Sequence, residues 1–220
     1  MALQSQDKPK NEEIPVGNSA PMTLEDYFEM ELTSDVRHEY SGGYIQAMAY
    51  TSINHGRILW NLNGLLFSCL KGKDCEGFGS DRMLFVPKCE GRDRTFYPDM
   101  MVVCGEKDMY QYKENMVALL NPSVLIEVSS DTTMEDDFVT KWRCYKKIKS
   151  LKQYIIISQK EPYILVFNST EKEDEWLHVS LDNEESVLKI SARSNSTSNS
   201  TFTDSECPPI TGILTVVAVT

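Results

Sequence analysis

Long apolar stretches are missing from this sequence. No segment approaches the ~18 consecutive apolar residues that a membrane-spanning helix requires. Residues 1–20 are polar and lack the apolar segment of a secretory signal peptide. These two absences argue against a membrane-spanning or secreted protein, and by elimination they predict a location in the cytoplasm.

The chain also lacks any pair of cysteines at the C-x-x-C spacing that is common in zinc sites. Its six cysteines are scattered through segments that are predicted to be helices and strands, namely Cys69, Cys75, Cys89, Cys104, Cys144 and Cys207. This distribution indicates neither a zinc site nor a disulfide framework. We therefore expect reduced thiols that are mostly buried.

Basic residues are scarce relative to acidic ones. The 22 basic residues against 33 acidic residues give a formal net charge of -11, which excludes a general electrostatic attraction to nucleic acid or to an anionic membrane. Binding to DNA would need a local basic patch. The best candidate is the stretch 141–152, with Lys141, Arg143, Lys146, Lys147, Lys149 and Lys152. For most of these residues a solvated helix face is the favoured alternative.

The composition is otherwise that of a globular protein, with 41% hydrophobic residues and 10% aromatic residues in a chain of 220. We expect a disordered segment at residues 1–20 and a single domain over residues 21–190. Residues 191–209 are predicted to be a Ser/Asn/Thr-rich linker, and residues 210–220 are an apolar C-terminal segment. Helices and strands alternate irregularly, which predicts an α/β or α+β domain built on a mixed sheet.

Local signals predict the individual elements. Thr23 is predicted to cap a short helix, and Ser41-Gly42-Gly43 is predicted to be the turn of a hairpin. Further predicted helices cover residues 52–70 and 134–149. The predicted strands are 75–79, 82–86, 96–103, 124–128, 153–157, 163–167 and one that contains Trp176. Pro87 is predicted to end its strand, residues 91–94 to form an exposed turn and residues 105–120 to form a connecting loop.

Three charged residues fall in segments that are otherwise predicted to be buried. Glu127 lies inside the apolar run 124–128, where an unpaired carboxylate would be costly. Asp99 follows Pro98 at the start of another apolar strand. Lys141 shares one side of its predicted helix with a row of apolar and aromatic residues. The three groups are therefore predicted to converge on the core.

Two carboxylates and a lysine would supply what phosphodiester hydrolysis needs. Mg²⁺ or Mn²⁺ held by Asp99 and Glu127 would activate water and stabilise charge on the phosphate. Lys141 could orient or activate that water and stabilise the developing charge. In the structural alternative, Asp99 caps a turn, Glu127 pairs with a buried lysine and Lys141 extends from an apolar face to solvent. The isolated residues by themselves favour this alternative.

The order of these signals resembles the PD-(D/E)-x-K nuclease superfamily, and in particular the Uma family of restriction-endonuclease-like proteins, which is found mainly in bacteria. The resemblance covers about residues 21–180. It rests on short motifs, which are Met22-Thr23-Leu24-Glu25-Asp26-Tyr27, His38-Glu39-Tyr40 before Gly43, Phe78-Gly79-Ser80-Asp81, Tyr97-Pro98-Asp99, Asn121-Pro122 before Ile126-Glu127-Val128-Ser129, Ser130-Asp131-Thr132-Thr133, Asp137, Lys141, Tyr145 and Leu151-Lys152-Gln153-Tyr154.

The resemblance implies a restriction-endonuclease-like fold, with a mixed central β-sheet flanked by helices and additional β-hairpins. It implies that Asp99 and Glu127 bind metal. Ser129 stands two residues after Glu127, where the motif has its lysine, so Lys141 on the following helix would take that role. Glu39 resembles an upstream glutamate that can complete such a site. The expected activity is Mg²⁺- or Mn²⁺-dependent endonuclease cleavage of DNA, and a homodimer is expected by analogy with related nucleases.

Several other residues are weaker candidates for a role in the site. Asp81 is a candidate neighbour of Glu39, and for both acids a surface or turn-capping role is an equally good alternative. His38 and His55 are interpreted as structural or exposed, because Mg²⁺ prefers oxygen ligands. Tyr145 is interpreted as core packing beside the lysine.

Two further functions fit the same sequence. The acidic composition and the absence of an E-x-K motif are the reasons for considering a second hypothesis, a catalytically inactive nuclease-fold module that binds nucleic acid or a protein partner. A metal-dependent hydrolase acting on another substrate is the third hypothesis. The choice between DNA and RNA is open at this point, as are the sequence preference and the biological role.

Overall fold

A computed structural model of the chain describes residues 21–114, 116–130, 133–182 and 188–190. The predictions for residues 1–20, 191–209 and 210–220 lie outside these described residues. Within the described ranges, no helix is both long enough and apolar enough to cross a membrane.

The described residues form a mixed α+β fold, which confirms the predicted fold class. The helices are α1 (Leu24–Thr33), α2 (Ile53–Leu70) and α3 (Trp142–Tyr145), and a π-helical segment, Asp136–Lys141, leads directly into α3. The strands are β1 (His38–Ser41), β2 (Tyr44–Ala47), β3 (Cys75–Gly79), β4 (Leu84–Cys89), β5 (Arg92–Phe96), β6 (Met100–Cys104), β7 (Met109–Lys113), β8 (Met116–Leu119), β9 (Val124–Ser129), β10 (Gln153–Ser158), β11 (Ile164–Ser169) and β12 (Trp176–Leu181).

These strands form two mixed sheets of six strands each. The first sheet has the order β2-β1-β5-β4-β8-β7, and the second has the order β12-β11-β10-β9-β6-β3. At the centre of the second sheet β9 and β10 pair in parallel, while its other neighbouring strands are antiparallel. Every residue of β9 and β10 is buried. This explains why both strands are continuous apolar runs in the sequence, since the strands of a parallel pair are covered on both faces.

The second sheet is covered on both faces. Ile58 and Leu62 of α2 belong to the same buried cluster as Ile126 of β9. On the opposite face, Leu125 of β9 belongs to a cluster that includes Tyr145 of α3 and residues of the first sheet. Because successive side chains of a strand point to opposite faces, the two clusters are separated by β9 itself. A third cluster surrounds α1.

Side-chain caps start α1 and α2 where the sequence predicts them. The Thr23 side chain accepts a hydrogen bond from the backbone N–H of Asp26 at 3.1 Å. The Ser52 side chain accepts one from the backbone N–H of His55, also at 3.1 Å. Both bonds satisfy donors that a helix leaves free in its first turn. The predicted starts of these helices are therefore confirmed.

The predicted loop at residues 105–120 is wrong, because this segment contains the antiparallel hairpin of β7 and β8. In β7 the side chains alternate between exposed and half-buried, and Tyr110 and Tyr112 both stack on Phe28 of α1. A strand that buries only alternate residues carries few apolar residues. For this reason its sequence is easily mistaken for a polar loop.

The predicted strand end at Pro87 and the predicted turn at residues 91–94 are also wrong. β4 continues through Pro87 to Cys89, and its register with β5 shifts between Val86 and Cys89. A bulge of this kind tolerates proline, which has no N–H to donate to the neighbouring strand. The turn lies earlier, at Gly91 with φ of 79°, so β5 already begins at Arg92.

The expectation of reduced cysteines is contradicted by the structure. Disulfides link Cys75 of β3 to Cys104 of β6 and Cys89 of β4 to Cys144 of α3, and Cys69 is disulfide-bonded as well. Cys75 and Cys104 are direct partners in the strand register. The spacing along the chain gave no hint of these pairs, because tertiary packing alone brings distant elements together.

The bond between Cys89 and Cys144 closes the longer loop, with a sequence separation of 55 against 29 for Cys75 and Cys104. We expect the Cys89→Ser/Cys144→Ser variant to lose about 2–4 kcal/mol of unfolding free energy, because the disulfide restricts the unfolded chain. The Cys75→Ser/Cys104→Ser variant is the matched control and should lose slightly less. Urea unfolding of both variants measures this, and unfolding midpoints equal to that of the wild type would contradict it.

Candidate active site

Glu127 is the carboxylate at the centre of the site. It lies in β9, and its exposed fraction is only 3%. Because side chains alternate along β9, Glu127 lies on the same side of the sheet as Leu125, which faces α3. Ile126 and Val128 lie on the other side and pack in the cluster that contains α2. The side chain of Glu127 is therefore directed to the face of the sheet that the lysine-bearing helix covers.

Three donors bind the two oxygens of Glu127. Lys141 Nζ donates to Oε1 at 3.1 Å, and the Tyr145 hydroxyl donates to the same oxygen at 3.0 Å. The backbone N–H of Asp99 approaches Oε2 at 3.4 Å. Lys141 and Tyr145 are one helical turn apart, so one face of the helix presents both donors. Tyr145 therefore does more than pack in the core, which was its interpretation from the sequence.

Asp99 lies directly before β6 and opposite Glu127. The register pairs Met100 of β6 with Ile126 of β9, so the residues next to this pair lie side by side. The carboxylate oxygen Oδ2 of Asp99 accepts a hydrogen bond from the backbone N–H of Val128 at 2.7 Å, and His55 Nε2 lies 3.0 Å from the same oxygen. No side chain or backbone group of the described residues donates to Oδ1 of Asp99.

Lys141 lies among three carboxylates. Its Nζ is 3.0 Å from Asp137 Oδ1, 3.1 Å from Glu127 Oε1 and 3.7 Å from Glu39 Oε1. Ser129 stands two residues after Glu127, at the lysine position of an E-x-K motif, and its hydroxyl donates to Asp137 Oδ2 at 2.5 Å. A lysine of the π-helical segment thus contacts Glu127, although no lysine stands two residues after this glutamate.

Glu39 reaches the site from β1 of the first sheet. Its Oε1 accepts a hydrogen bond from the backbone N–H of Tyr97 at 3.3 Å. Burial raises the pKa of Glu39 above its usual value, although the charge of Lys141 opposes this shift. Both sheets therefore contribute an acid to the surroundings of Lys141.

The site holds more negative charge than Lys141 can neutralise. Burial raises the pKa of Glu127 well above the usual value, and the negative charges of Asp137, Asp99 and Glu39 add to this effect while Lys141 opposes it. Burial favours the neutral amine of Lys141, but the surrounding carboxylates outweigh it and raise the pKa of Lys141 well above its usual value. A cation beside Glu127 would remove much of this imbalance.

The oxygen donors of Asp99 and Glu127 suit a hard cation that keeps several waters. Mg²⁺ is typically bound through one or two carboxylates, with waters and substrate phosphates as its other ligands. In the part of the chain that the structure describes, no three His, Cys, Asp or Glu side chains are gathered closely enough to enclose a metal ion by themselves. The donor set therefore fits an open site of two carboxylates rather than a closed metal cage.

Other predicted residues lie elsewhere. Asp81 is exposed in the turn after β3, and His38 contacts Glu31, with Nδ1 3.0 Å from Oε2. At the far end of the basic stretch, the backbone N–H of Lys152 donates to the carbonyl of Ser123 at the start of β9. Glu127 lies near the opposite end of that strand. Lys152 therefore lies away from Glu127.

His55 and Asp137 are the residues that the sequence analysis did not place at the site. His55 is only 7% exposed and lies on the face of α2 that also carries Ile58 and Leu62. A polar side chain on the apolar face of a helix was the signal that drew attention to Lys141. The same signal could have identified His55.

Comparisons with known proteins agree with this architecture. A model of the Uma2 family, described as "Putative restriction endonuclease", matches residues 24–194. Two relatives are from Synechocystis sp. (strain ATCC 27184 / PCC 6803 / Kazusa). The uncharacterized protein sll1609 is 31% identical over 145 residues, which cover 66% of this chain and 78% of that protein. The uncharacterized protein slr1290 is 29% identical over 162 residues, which cover 72% and 81%.

A solved structure shares the fold. It is the crystal structure, at 1.96 Å resolution, of a putative nuclease belonging to DUF820 from Anabaena variabilis ATCC 29413. The superposition has a TM-score of 0.60 with 16% sequence identity and covers 78% of this chain and 90% of the other. The restriction-endonuclease-like fold that the sequence implied is therefore confirmed. Because the family model spans most of the chain, this protein belongs to the Uma2 family.

Proposed function

We propose that this chain is a metal-dependent endonuclease that hydrolyses phosphodiester bonds in DNA. The observation that carries the proposal is the approach of Lys141 Nζ to Glu127 Oε1 at 3.1 Å, with Asp99 directly beside Glu127. Two acids and a lysine from three separate elements thus meet at one point. Membership in a family described as restriction endonucleases supports the same reaction class.

Each residue has a proposed role. Asp99 and Glu127 hold Mg²⁺ or Mn²⁺, a cation that supplies Lewis-acid polarisation of the phosphate and activation of water. Lys141 orients the attacking water and stabilises the negative charge that develops on the phosphate. Tyr145 holds Glu127 by its hydroxyl, and Glu39 contributes a further acid that keeps the amine of Lys141 charged.

DNA is the proposed substrate, and the acidic site itself explains why a cation is needed. A phosphodiester approaching Glu39, Glu127 and Asp137 would otherwise meet like charges. Binding through general electrostatic attraction is unfavourable for a chain of net charge -11. A homodimer, expected from the resemblance to related nucleases, is part of the proposal.

One observation favours a second function, a nuclease-fold module without activity that binds nucleic acid or a protein. Lys141 already contacts Asp137, Glu127 and Glu39, so it can be explained as the counter-charge of buried acids. In such a module Asp99 would be unimportant for metal affinity. The assay below separates the two functions.

We expect the wild type to nick plasmid DNA with Mn²⁺ or Mg²⁺, and the Asp99→Ala and Lys141→Ala variants to lose about 10²-fold or more of this activity. Lys172, an exposed lysine paired with Glu175, provides the control variant Lys172→Ala, which should cleave normally. Thermal unfolding of each variant checks that it is folded. Equal cleavage by all variants would indicate contamination, and no cleavage by a wild type that binds a partner would favour the module.

The affinity for Mn²⁺ should increase with pH. Protons and the cation compete for the carboxyl group of Glu127. Because burial raises the pKa of this group, the competition extends to pH values above those at which carboxyl groups ordinarily titrate. Binding should therefore release protons, which calorimetry in buffers of different ionisation enthalpy detects. Asp137→Asn removes a negative charge that raises the pKa of Glu127. In this variant the increase in Mn²⁺ affinity should therefore occur at lower pH. An affinity that is constant from mildly acidic to neutral pH would contradict this.

The proposed location of the activity is the cytoplasm, and the disulfides provide its test. Disulfides persist in oxidising compartments and are rare in the cytosol. If the protein works in the cytoplasm, rapid alkylation of protein taken directly from cells should label Cys75, Cys89, Cys104 and Cys144. Blocked thiols at these positions would instead assign the protein to an oxidising compartment.

A further inference from the structure

His55 lies in the first turn of α2. Its backbone N–H donates to the side chain of Ser52, the cap of the helix, and its side chain is only 9% exposed. The ring lies on the side of α2 that faces the second sheet, with Ile58 one turn further along.

The ring of His55 makes one polar contact among the described residues, and this contact is to Asp99. Nε2 lies 3.0 Å from Asp99 Oδ2, whereas Nδ1 is buried and has no hydrogen-bond partner there. A carboxylate only accepts hydrogen bonds, so Nε2 carries the hydrogen in this contact. Among the described residues, the imidazole ring therefore donates to Asp99 Oδ2 alone.

The consequence for Asp99 is that its two oxygens are not equivalent. Oδ2 accepts both the His55 ring N–H and the backbone N–H of Val128, the latter at 2.7 Å. Two donors use the usual accepting capacity of one carboxylate oxygen. The torsion that rotates an aspartate carboxylate is otherwise broad. With Oδ2 fixed from two directions, Oδ1 remains as the oxygen that is available to a cation.

We infer that His55 is a positioning residue that orients Asp99 so that Oδ1 is presented to the divalent cation. This inference rests on the proposed function, because it assumes that Asp99 is a metal ligand. Hydrogen-bonded partners of metal ligands fix the orientation of those ligands, and their loss typically lowers metal affinity 10–100-fold. His55 would act in this way from α2, an element that contributes no acid to the site.

The backbone N–H of Val128 cannot replace His55. It belongs to β9 and approaches Asp99 Oδ2 from the sheet, so with this donor alone the carboxylate could still rotate about a single hydrogen bond. The ring N–H of His55, on α2, donates to the same oxygen from a second direction and so prevents this rotation. The inference therefore predicts that a side-chain N–H at this position matters, and not merely the filling of space.

The test is Mn²⁺ binding, measured by calorimetry and by the electron paramagnetic resonance signal of free Mn²⁺. His55→Phe keeps a buried ring without a donor, and His55→Gln places an amide N–H near the position of Nε2. We expect His55→Phe to bind Mn²⁺ 10–100-fold more weakly than the wild type, and His55→Gln to recover most of the affinity. Asp99→Asn serves as the reference for loss of the ligand itself.

Ser52→Ala is the control for disturbance of the helix end, since it removes the cap of α2 and leaves the contact between His55 and Asp99 in place. It should bind Mn²⁺ like the wild type. Equal affinity of His55→Phe and the wild type would overturn the inference. It would also fall if His55→Gln were as weak as His55→Phe, or if Ser52→Ala showed the same loss.

The same measurements separate this inference from the proposed function. A wild type that binds Mn²⁺ without cleaving DNA, together with weak binding by His55→Phe and recovery in His55→Gln, would refute the endonuclease and leave the role of His55 intact. A wild type that binds no Mn²⁺ would overturn both. Thermal unfolding of each variant establishes that the affinities refer to folded protein.

Discussion

The burial of Glu127 in the central parallel pair of the second sheet is the constraint on which the rest of the site depends. A carboxylate in this position would destabilise the fold without partners, and the surrounding elements supply them. Lys141 and Tyr145 approach from the helix that covers one face of the sheet, and the backbone of Asp99 approaches from the neighbouring strand. The positions of three elements are thus linked to one side chain.

The partners of Glu127 only partly compensate its charge. Lys141 is shared with Glu39 and Asp137. Burial, together with the charges of the neighbouring acids, raises the pKa of Glu127, and Lys141 opposes this shift. If Lys141 and Glu127 formed a purely structural ion pair, fewer acids around them would be more favourable, because each additional carboxylate competes for the amine of Lys141. An excess of carboxylates around one lysine is, in contrast, suitable for a site that acquires a divalent cation and then a phosphate.

Lys141 contacts Glu127 without the spacing of two residues that separates glutamate and lysine in an E-x-K motif. Ser129 occupies the position two residues after Glu127 and binds Asp137 instead. Asp137 in turn lies one turn before Lys141 and contacts its amine at 3.0 Å. Ser129 thereby anchors the π-helical segment to the end of β9. The disulfide between Cys89 and Cys144 secures the following turn to the first sheet.

The sequence by itself determined the features that depend on one element at a time. The capping residue Thr23 predicted the start of α1, apolar residues at helical spacing predicted α2, and the continuous apolar runs predicted β9 and β10. The local pattern also singled out Asp99, Glu127 and Lys141, because a charged residue in an otherwise apolar segment is visible in the sequence.

Only the tertiary structure decided which of these elements meet. It brought His55 of α2 to Asp99 and Glu39 of β1 to Lys141, and it paired cysteines 29 and 55 residues apart. It also revealed the hairpin of β7 and β8, whose few apolar side chains pack on α1. Periodicity reports the side on which a residue lies within its own helix or strand. It carries no information about the distant element that packs against that side, and this is why these contacts could not be predicted.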